Sequence, residues 1–176
     1  MLDIVSGFLE AMVRMACPIM LASLGALFTA RSGIINFAME GIMIMGAFFG
    51  VYGSYLSGNP WVGALLGMLG GLTAAVVLGV MSITVKVDQV VAGTGINVLF
   101  LGLTSYLCTE LYPNGQPSSV GAFQSVEIPV LSSLPVIGVF FQQNMLVYLA
   151  FLLVPLIWYL LNRTTFGLCL RSVGEQ

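Results

Sequence analysis

The chain alternates long apolar runs with short polar interruptions. From Gly41 to Val85 there is no charged residue at all, and about 20 predominantly apolar residues suffice to cross the hydrocarbon core of a bilayer. That stretch alone holds two crossings, separated by "SGNPW", where Ser57, Gly58, Asn59 and Pro60 supply turn chemistry and Trp61 suits an interface. The pattern predicts five spans, at Met12–Ala30, Ile34–Ser57, Trp61–Val85, Gln89–Thr109 and Met145–Leu161. Inside lipid the backbone must satisfy its own hydrogen bonds within a helix or a closed barrel. Unbroken apolar runs, rather than short alternating ones, select helices. The expected fold class is therefore all-α, a polytopic transmembrane helical bundle of about five spans.

Composition agrees with lipid as the solvent. The chain is 59% hydrophobic and 7% charged, whereas a soluble domain carries roughly 25% charged residues. If the spans alternate, Arg31, Lys86, Arg163 and Arg171 fall on one side, and Asp3, Glu110 and Glu127 on the other. Lysine and arginine bias sets orientation, so the basic side is expected to be cytoplasmic, with the N-terminus outside and the C-terminus inside. Arg14 stands apart, one turn after Glu10, where an i,i+4 pair can form at the membrane edge. Asp3 and Glu10 occupy the place of a positive n-region, and Phe28, Thr29 and Ala30 lack a small-x-small cleavage site, so the first run is read as a retained helix rather than a signal peptide.

Chemistry-bearing residues are sparse. Cys17, Cys108 and Cys169 are odd in number, lack metal-ligand spacing and are read as packing residues. The chain has no histidine and no clustered carboxylates, so metal hydrolysis and imidazole acid/base catalysis are poorly supported. It also lacks the G-x-x-x-x-G-K-[ST] phosphate loop. We expect no enzyme activity, no catalytic or metal-binding residue, no cofactor and no nucleic acid polymer as partner. Residues 110–144 are too long for a simple turn and contain Pro113, Asn114, Gly115, Pro117, Pro129 and Pro135, which predicts an external loop. Its second half, "IPVLSSLPVIGVFFQQN", is apolar but proline-broken and reads as a shallow interfacial segment rather than a sixth crossing.

Three stretches within the spans are informative. Gly63, Gly67, Gly71, Ala75 and Gly79 recur every four residues, and Gly46 and Gly50 repeat the device in the preceding span. Small residues at this spacing let helix backbones approach closely, and these seven are read as helix-packing positions on shared faces. The stretch "RSGIINFAMEG" places Asn36 as an N-cap and Glu40 in the first turn of the second span, where the helix dipole favours a carboxylate. The alternative is a broken helix start, between Gly33 and Gly41, that lines a polar route. In "KVDQVVAGTGINV", Asp88 is an N-cap. Gly93, Asn97 and Thr104 share one face further along that span, where an amide must either bond another helix or face a pathway. Gly93 and Gly95 also loosen the helix there, as in the discontinuous helices of transporters.

Four blocks, "RSGIINFAMEGIMIMGAFFG", "VDQVVAGTGINVLFLGLTS", "IPVLSSLPVIG" and "RTTFGLCLRSVGEQ", occur in this order. Together they resemble the membrane permease of bacterial ABC importers, in the branch associated with nucleosides and simple sugars and served by a basic-membrane-protein type lipoprotein. The resemblance implies a permease subunit in the bacterial cytoplasmic membrane, working by alternating access. Its implied partners are an ABC ATPase subunit, a second permease subunit, an extracytoplasmic substrate-binding lipoprotein and the lipid bilayer. It implies that residues 163–176 begin the cytoplasmic coupling segment, with Arg171, Ser172, Val173, Gly174 and Glu175 meeting the ATPase. Asn36, Glu40, Gly93, Asn97 and Thr104 become substrate-pathway candidates. Family members continue beyond that segment, so residues 1–176 are expected to be the N-terminal portion of a single, truncated transmembrane permease domain. The rival reading is a non-transporting membrane scaffold or assembly subunit, which packing glycines and few polar residues suit equally.

Overall fold

The computed structural model describes residues 2–113, 120–121, 123 and 143–174. Its regular elements are helices: α1 (Leu2–Arg31), α2 (Met39–Ser57), α3 (Pro60–Gly79) continued by a π-helical turn (Val80–Thr84), α4 (Gln89–Leu111), α5 (Met145–Arg163) and α6 (Thr165–Gly174). Five are long and apolar enough to cross a membrane, Val5–Arg31, Met39–Ser57, Pro60–Thr84, Gln89–Leu111 and Met145–Arg163. The all-α, five-span reading therefore holds. The second span begins later than its hydropathy indicates, because Ile34–Asn36 are outside any helix and lead into a turn before Met39. Most of the expected external loop, including nearly all of its proline-broken half, lies outside the described residues.

The chain forms two compact units, one of residues 1–33 and 123–176, the other of residues 34–122. In the second unit the turn between α2 and α3 takes the form its residues dictate. Gly58 adopts a left-handed φ of 65° and closes α2, a conformation glycine reaches without steric cost. The Asn59 side chain then accepts the Trp61 N–H at 3.0 Å, with Pro60 in the first turn of α3. α2 and α3 pack backbone to backbone. A Cβ added at Gly63 would lie 2.6 Å from the Gly50 carbonyl oxygen, and one at Gly67 would lie 2.9 Å from that of Gly46.

The small-residue stripe does not, however, remain on one face. Gly71 makes only ordinary contact with Ile42, and Gly79 has nothing within 4 Å. Ala75 is half-buried, while Gly70, Ala74 and Leu78 are the buried positions. Each four-residue step advances about 40° around a 3.6-residue helix. The stripe from 63 to 79 therefore rotates out of the contact, and residues one position earlier replace it. Ala74 and Leu78 join Ala38, Met45, Ala92, Ile96 and Phe100 in one apolar core beneath α2, α3 and α4.

In the first unit α1 and α5 meet around Cys17, Val147 and Ala150. Glu10 and Arg14 form the expected pair on the α1 surface at 2.7 Å. The reading of all cysteines as packing residues needs correction: Cys17 is buried, but Cys108 and Cys169 are exposed. Neither belongs to the buried apolar clusters.

Candidate functional site

The break before α2 is held by α4. Ala38, the N-cap of α2, offers no side-chain cap, and the first N–H groups of any helix lack intrahelical acceptors. Asn97 supplies one from the neighbouring helix: its Oδ1 accepts the Gly41 N–H at 2.7 Å, and its Nδ2 donates to the Phe37 carbonyl at 2.9 Å. Gln89 adds a second tie, its Oε1 accepting the Ile35 N–H at 2.9 Å. Close approach makes this geometry available. A Cβ at Gly93 would come within 2.5 Å of Phe37 Cβ, and one at Gly41 within 3.0 Å of Asn97 Cα. Asn36 turns its amide oxygen onto the Ala38 N–H at 3.0 Å and so shapes the turn rather than capping the helix itself. Glu40 is exposed in the first turn of α2.

α4 is continuous through Gly93 and Gly95, so the expected loosening there is not found. The glycine at 93 is used for contact, not for breaking the helix. Asp88 does cap α4, its Oδ1 accepting from Val90 N–H at 2.9 Å and Val91 N–H at 3.2 Å.

Towards the other end of α4, a cavity of about 940 Å³ opens between it and α2. It is lined by Phe48 of α2, by Thr104, Ser105, Cys108 and Thr109 of α4, and by Tyr112. Its described lining contains no charged residue. Thr104 donates to the Phe100 carbonyl at 2.7 Å and Thr109 to that of Ser105 at 3.0 Å. The Tyr112 ring meets Tyr55 edge-on with centroids 5.6 Å apart. Burial, reinforced by Cys108, Tyr55 and Tyr52, raises the Tyr112 phenol above its ordinary pKa, so it stays protonated at neutral pH. Of the five pathway candidates, Thr104 alone lines this cavity. Gly93 and Asn97, with Asn36, build the tie to the α2 break. Ser105, Cys108 and Thr109 of α4, and Tyr112 just after it, were missed by sequence reasoning, because which side of α4 fronts a cavity depends on where α2 lies.

In the first unit α5 turns sharply into α6. Thr164 Oγ1 accepts the Gly167 N–H at 3.4 Å, and an added Cβ at Gly167 would run into the Leu161 carbonyl. Arg171 folds back over this corner. Its guanidinium donates to the Leu161 carbonyl at 3.2 Å and to Asn162 Oδ1, placing positive charge at the carbonyl end of α5 where the helix dipole favours it. Ser172 and Val173 are exposed. Gly174 sits against the end of α1, where a Cβ at Gly33 would lie 3.3 Å from its Cα. Glu175 lies outside the described residues. Among the described residues no group of histidine, cysteine or carboxylate side chains is arranged to hold a metal ion.

These helices have apolar outer faces and an uncharged cavity, and several known membrane permeases are similar in sequence to this chain. NupQ of Bacillus subtilis, named as a guanosine ABC transporter permease protein, is 35% identical over 99% of this chain and 57% of its own length. NupC of Lactococcus lactis, a nucleoside ABC transporter permease protein, is 37% identical over 94% of this chain and 55% of its own. A Haloferax volcanii protein provisionally named as a glucose ABC transporter permease, TsgC13, is 34% identical over 97% of this chain and 52% of its own. The chain thus spans little more than half the length of these relatives. No solved structure matches it. Residues 8–176 match the family described as "Branched-chain amino acid transport system / permease component", and the chain belongs to that family of membrane permeases.

Proposed function

We propose that this chain forms part of the membrane-spanning subunit of an ABC importer that moves nucleosides or simple sugars by alternating access. The observation that carries the reading is the α2–α4 cavity, an uncharged, hydroxyl-bearing space in a chain whose outer faces are apolar. Hydroxyl oxygens both donate and accept, which suits neutral, oxygen-rich cargo. The naming of the relatives as nucleoside and glucose permeases supports the same reading and does not favour a non-transporting scaffold. Bonds are neither made nor broken in this chain; ATP is hydrolysed by a separate ATPase subunit. A second permease subunit completes the pore, and an extracytoplasmic binding lipoprotein delivers cargo. Arg31, Lys86, Arg163 and Arg171 face the cytoplasm. α6, with Ser172 and Val173 exposed, is the segment that meets the ATPase.

The test is uptake of radiolabelled guanosine and glucose into proteoliposomes holding the full-length permease with its ATPase and binding protein. ATP-dependent accumulation of either compound is expected, and intact complexes that accumulate neither refute the reading. For orientation, cysteines placed at Lys86 and Arg171 should react with an impermeant maleimide only from the cytoplasmic face. Labelling from opposite compartments would overturn the layout.

A further inference from the structure

A second cavity, of about 430 Å³, lies where the π-helical turn after α3 leads into α4. Ser82, Lys86, Asp88 and Gln89 line it, with Ile35 and Phe37 from the break before α2. Its height in the membrane follows from the chain. Lys86 ends the uncharged run that begins after Glu40, one span closes at Thr84 and the next opens at Gln89, so the cavity sits at the level of the lipid headgroups. Its polar groups form a complementary set. The Ser82 hydroxyl oxygen is buried with no hydrogen-bond partner, which is costly unless a bound group supplies an acceptor. Lys86 and Asp88 share the cavity, yet among the described residues neither makes an ion pair. Both capping bonds of Asp88 go to Oδ1, which leaves Oδ2 to accept from a ligand. The cavity therefore presents two donors, an ammonium and a hydroxyl, beside one carboxylate acceptor. A phosphate diester meets the donors, and a primary ammonium, with three N–H groups and no acceptor, meets the carboxylate. A headgroup that is only anionic sets its phosphate against Asp88 with nothing to offset the repulsion. A trimethylated ammonium has no N–H to offer Oδ2.

We propose that this cavity is a binding site for the headgroup of phosphatidylethanolamine, with Lys86 and Ser82 on the phosphate and Asp88 Oδ2 on the ammonium. Val85 and Val90, exposed beside it, give the acyl chains an apolar surface to follow. Gln89 Oε1 holds the Ile35 N–H within the same wall, so a seated headgroup braces the break before α2.

Lys86 is the only lysine in residues 1–176, so its reactivity reports occupancy without any substitution. The experiment places the full-length protein in nanodiscs of phosphatidylcholine alone, or of phosphatidylcholine mixed with phosphatidylethanolamine or with phosphatidylglycerol. Reductive methylation of Lys86, with reagent in large excess over all amines, is followed by peptide mass spectrometry. Phosphatidylethanolamine should slow methylation several-fold relative to phosphatidylcholine alone, and phosphatidylglycerol should slow it less. Asp88→Asn keeps the helix cap, since asparagine caps as well as aspartate, and should raise protection by phosphatidylglycerol to that of phosphatidylethanolamine. Equal rates in the three bilayers, stronger protection by phosphatidylglycerol in the unaltered protein, or an unchanged lipid ranking in Asp88→Asn overturns the assignment. Free phosphoethanolamine that protects as well in phosphatidylcholine nanodiscs overturns the lipid as the source and assigns the site to a soluble ligand. Protection that appears only when the ATPase is added, whatever the lipid, overturns it in favour of a subunit contact. If Asp88→Asn does not reach the membrane, the ranking measured on the unaltered protein decides alone.

Discussion

The two units are built from similar apolar helices and hold together differently. In the second, α2 meets α3 through glycines whose missing side chains admit the partner's backbone, and α4 is tied to the start of α2 by the Asn97 amide. In the first, 6% of the α1 spanning window is buried, against 28% for α2 and for α4, and contact with α5 gathers around Cys17, Val147 and Ala150. The difference teaches that apolar character alone does not make a packed helix. Lipid is as good a solvent for a leucine as another helix is, so association requires close backbone approach or a polar tie. α2 and α4 have both, and α3 has the close approach. α1 keeps Phe8, Met15 and Ile19 on open surface.

The sharpest way to break this contrast is one substitution made in both units. Gly63→Ala places a methyl 2.6 Å from the Gly50 carbonyl oxygen and should cost about 1–3 kcal/mol through overpacking. Gly25→Ala in α1 meets nothing within 4 Å and should be stabilising by about 0.5–1 kcal/mol through helix propensity. Melting curves of the purified full-length protein would show the opposite signs, and equal shifts would erase the distinction between the units.

Asn97→Leu should cost about 1–3 kcal/mol, because it strands the Gly41 N–H and the Phe37 carbonyl. Asn97→Asp keeps the acceptor and should fall between leucine and the wild type. Equal damage by both would mean that the Gly41 bond contributes little. Smaller again is Arg171→Ala, expected to cost about 1 kcal/mol by releasing the Leu161 carbonyl. Co-purification of the ATPase sharpens that result. If Asn162→Ala, which frees the guanidinium from the same corner, weakens ATPase retention as much as Arg171→Ala, then Arg171 acts by positioning α6. If only Arg171→Ala weakens it, the guanidinium contacts the ATPase directly. Smallest is Glu10→Gln, which removes an exposed i,i+4 pair on α1 and should shift stability by no more than about 0.5 kcal/mol.

Legibility in the sequence follows the range of the forces involved. The five spanning helices, the Gly58–Asn59–Pro60 turn, the Asp88 cap and the Glu10–Arg14 pair depend on residues within a turn or two of one another, and all could be read directly, whereas the helical form of α6 was not read. The glycine stripe could be read only as far as its first members, because four-residue spacing and helical pitch diverge with distance. Asn97 was recognisable as a costly amide that needed a partner. Its partner, the backbone of residues 37–41, could not be seen, since the contact joins positions separated by a whole pair of helices.

The sequence by itself determined the solvent, the helical class and the approximate crossings, because a backbone in lipid must satisfy its own hydrogen bonds and long unbroken apolar runs do so as helices rather than as a closed barrel. It also carried the family resemblance, which is a property of residue order. Tertiary structure alone decided that Asn97 would stitch two elements together, that Arg171 would turn back onto α5, and that Ser105, Cys108 and Tyr112 would front a cavity. Each of these depends on which faces of separate helices come within a few ångströms, and that is fixed by the packing of small residues rather than by any local preference.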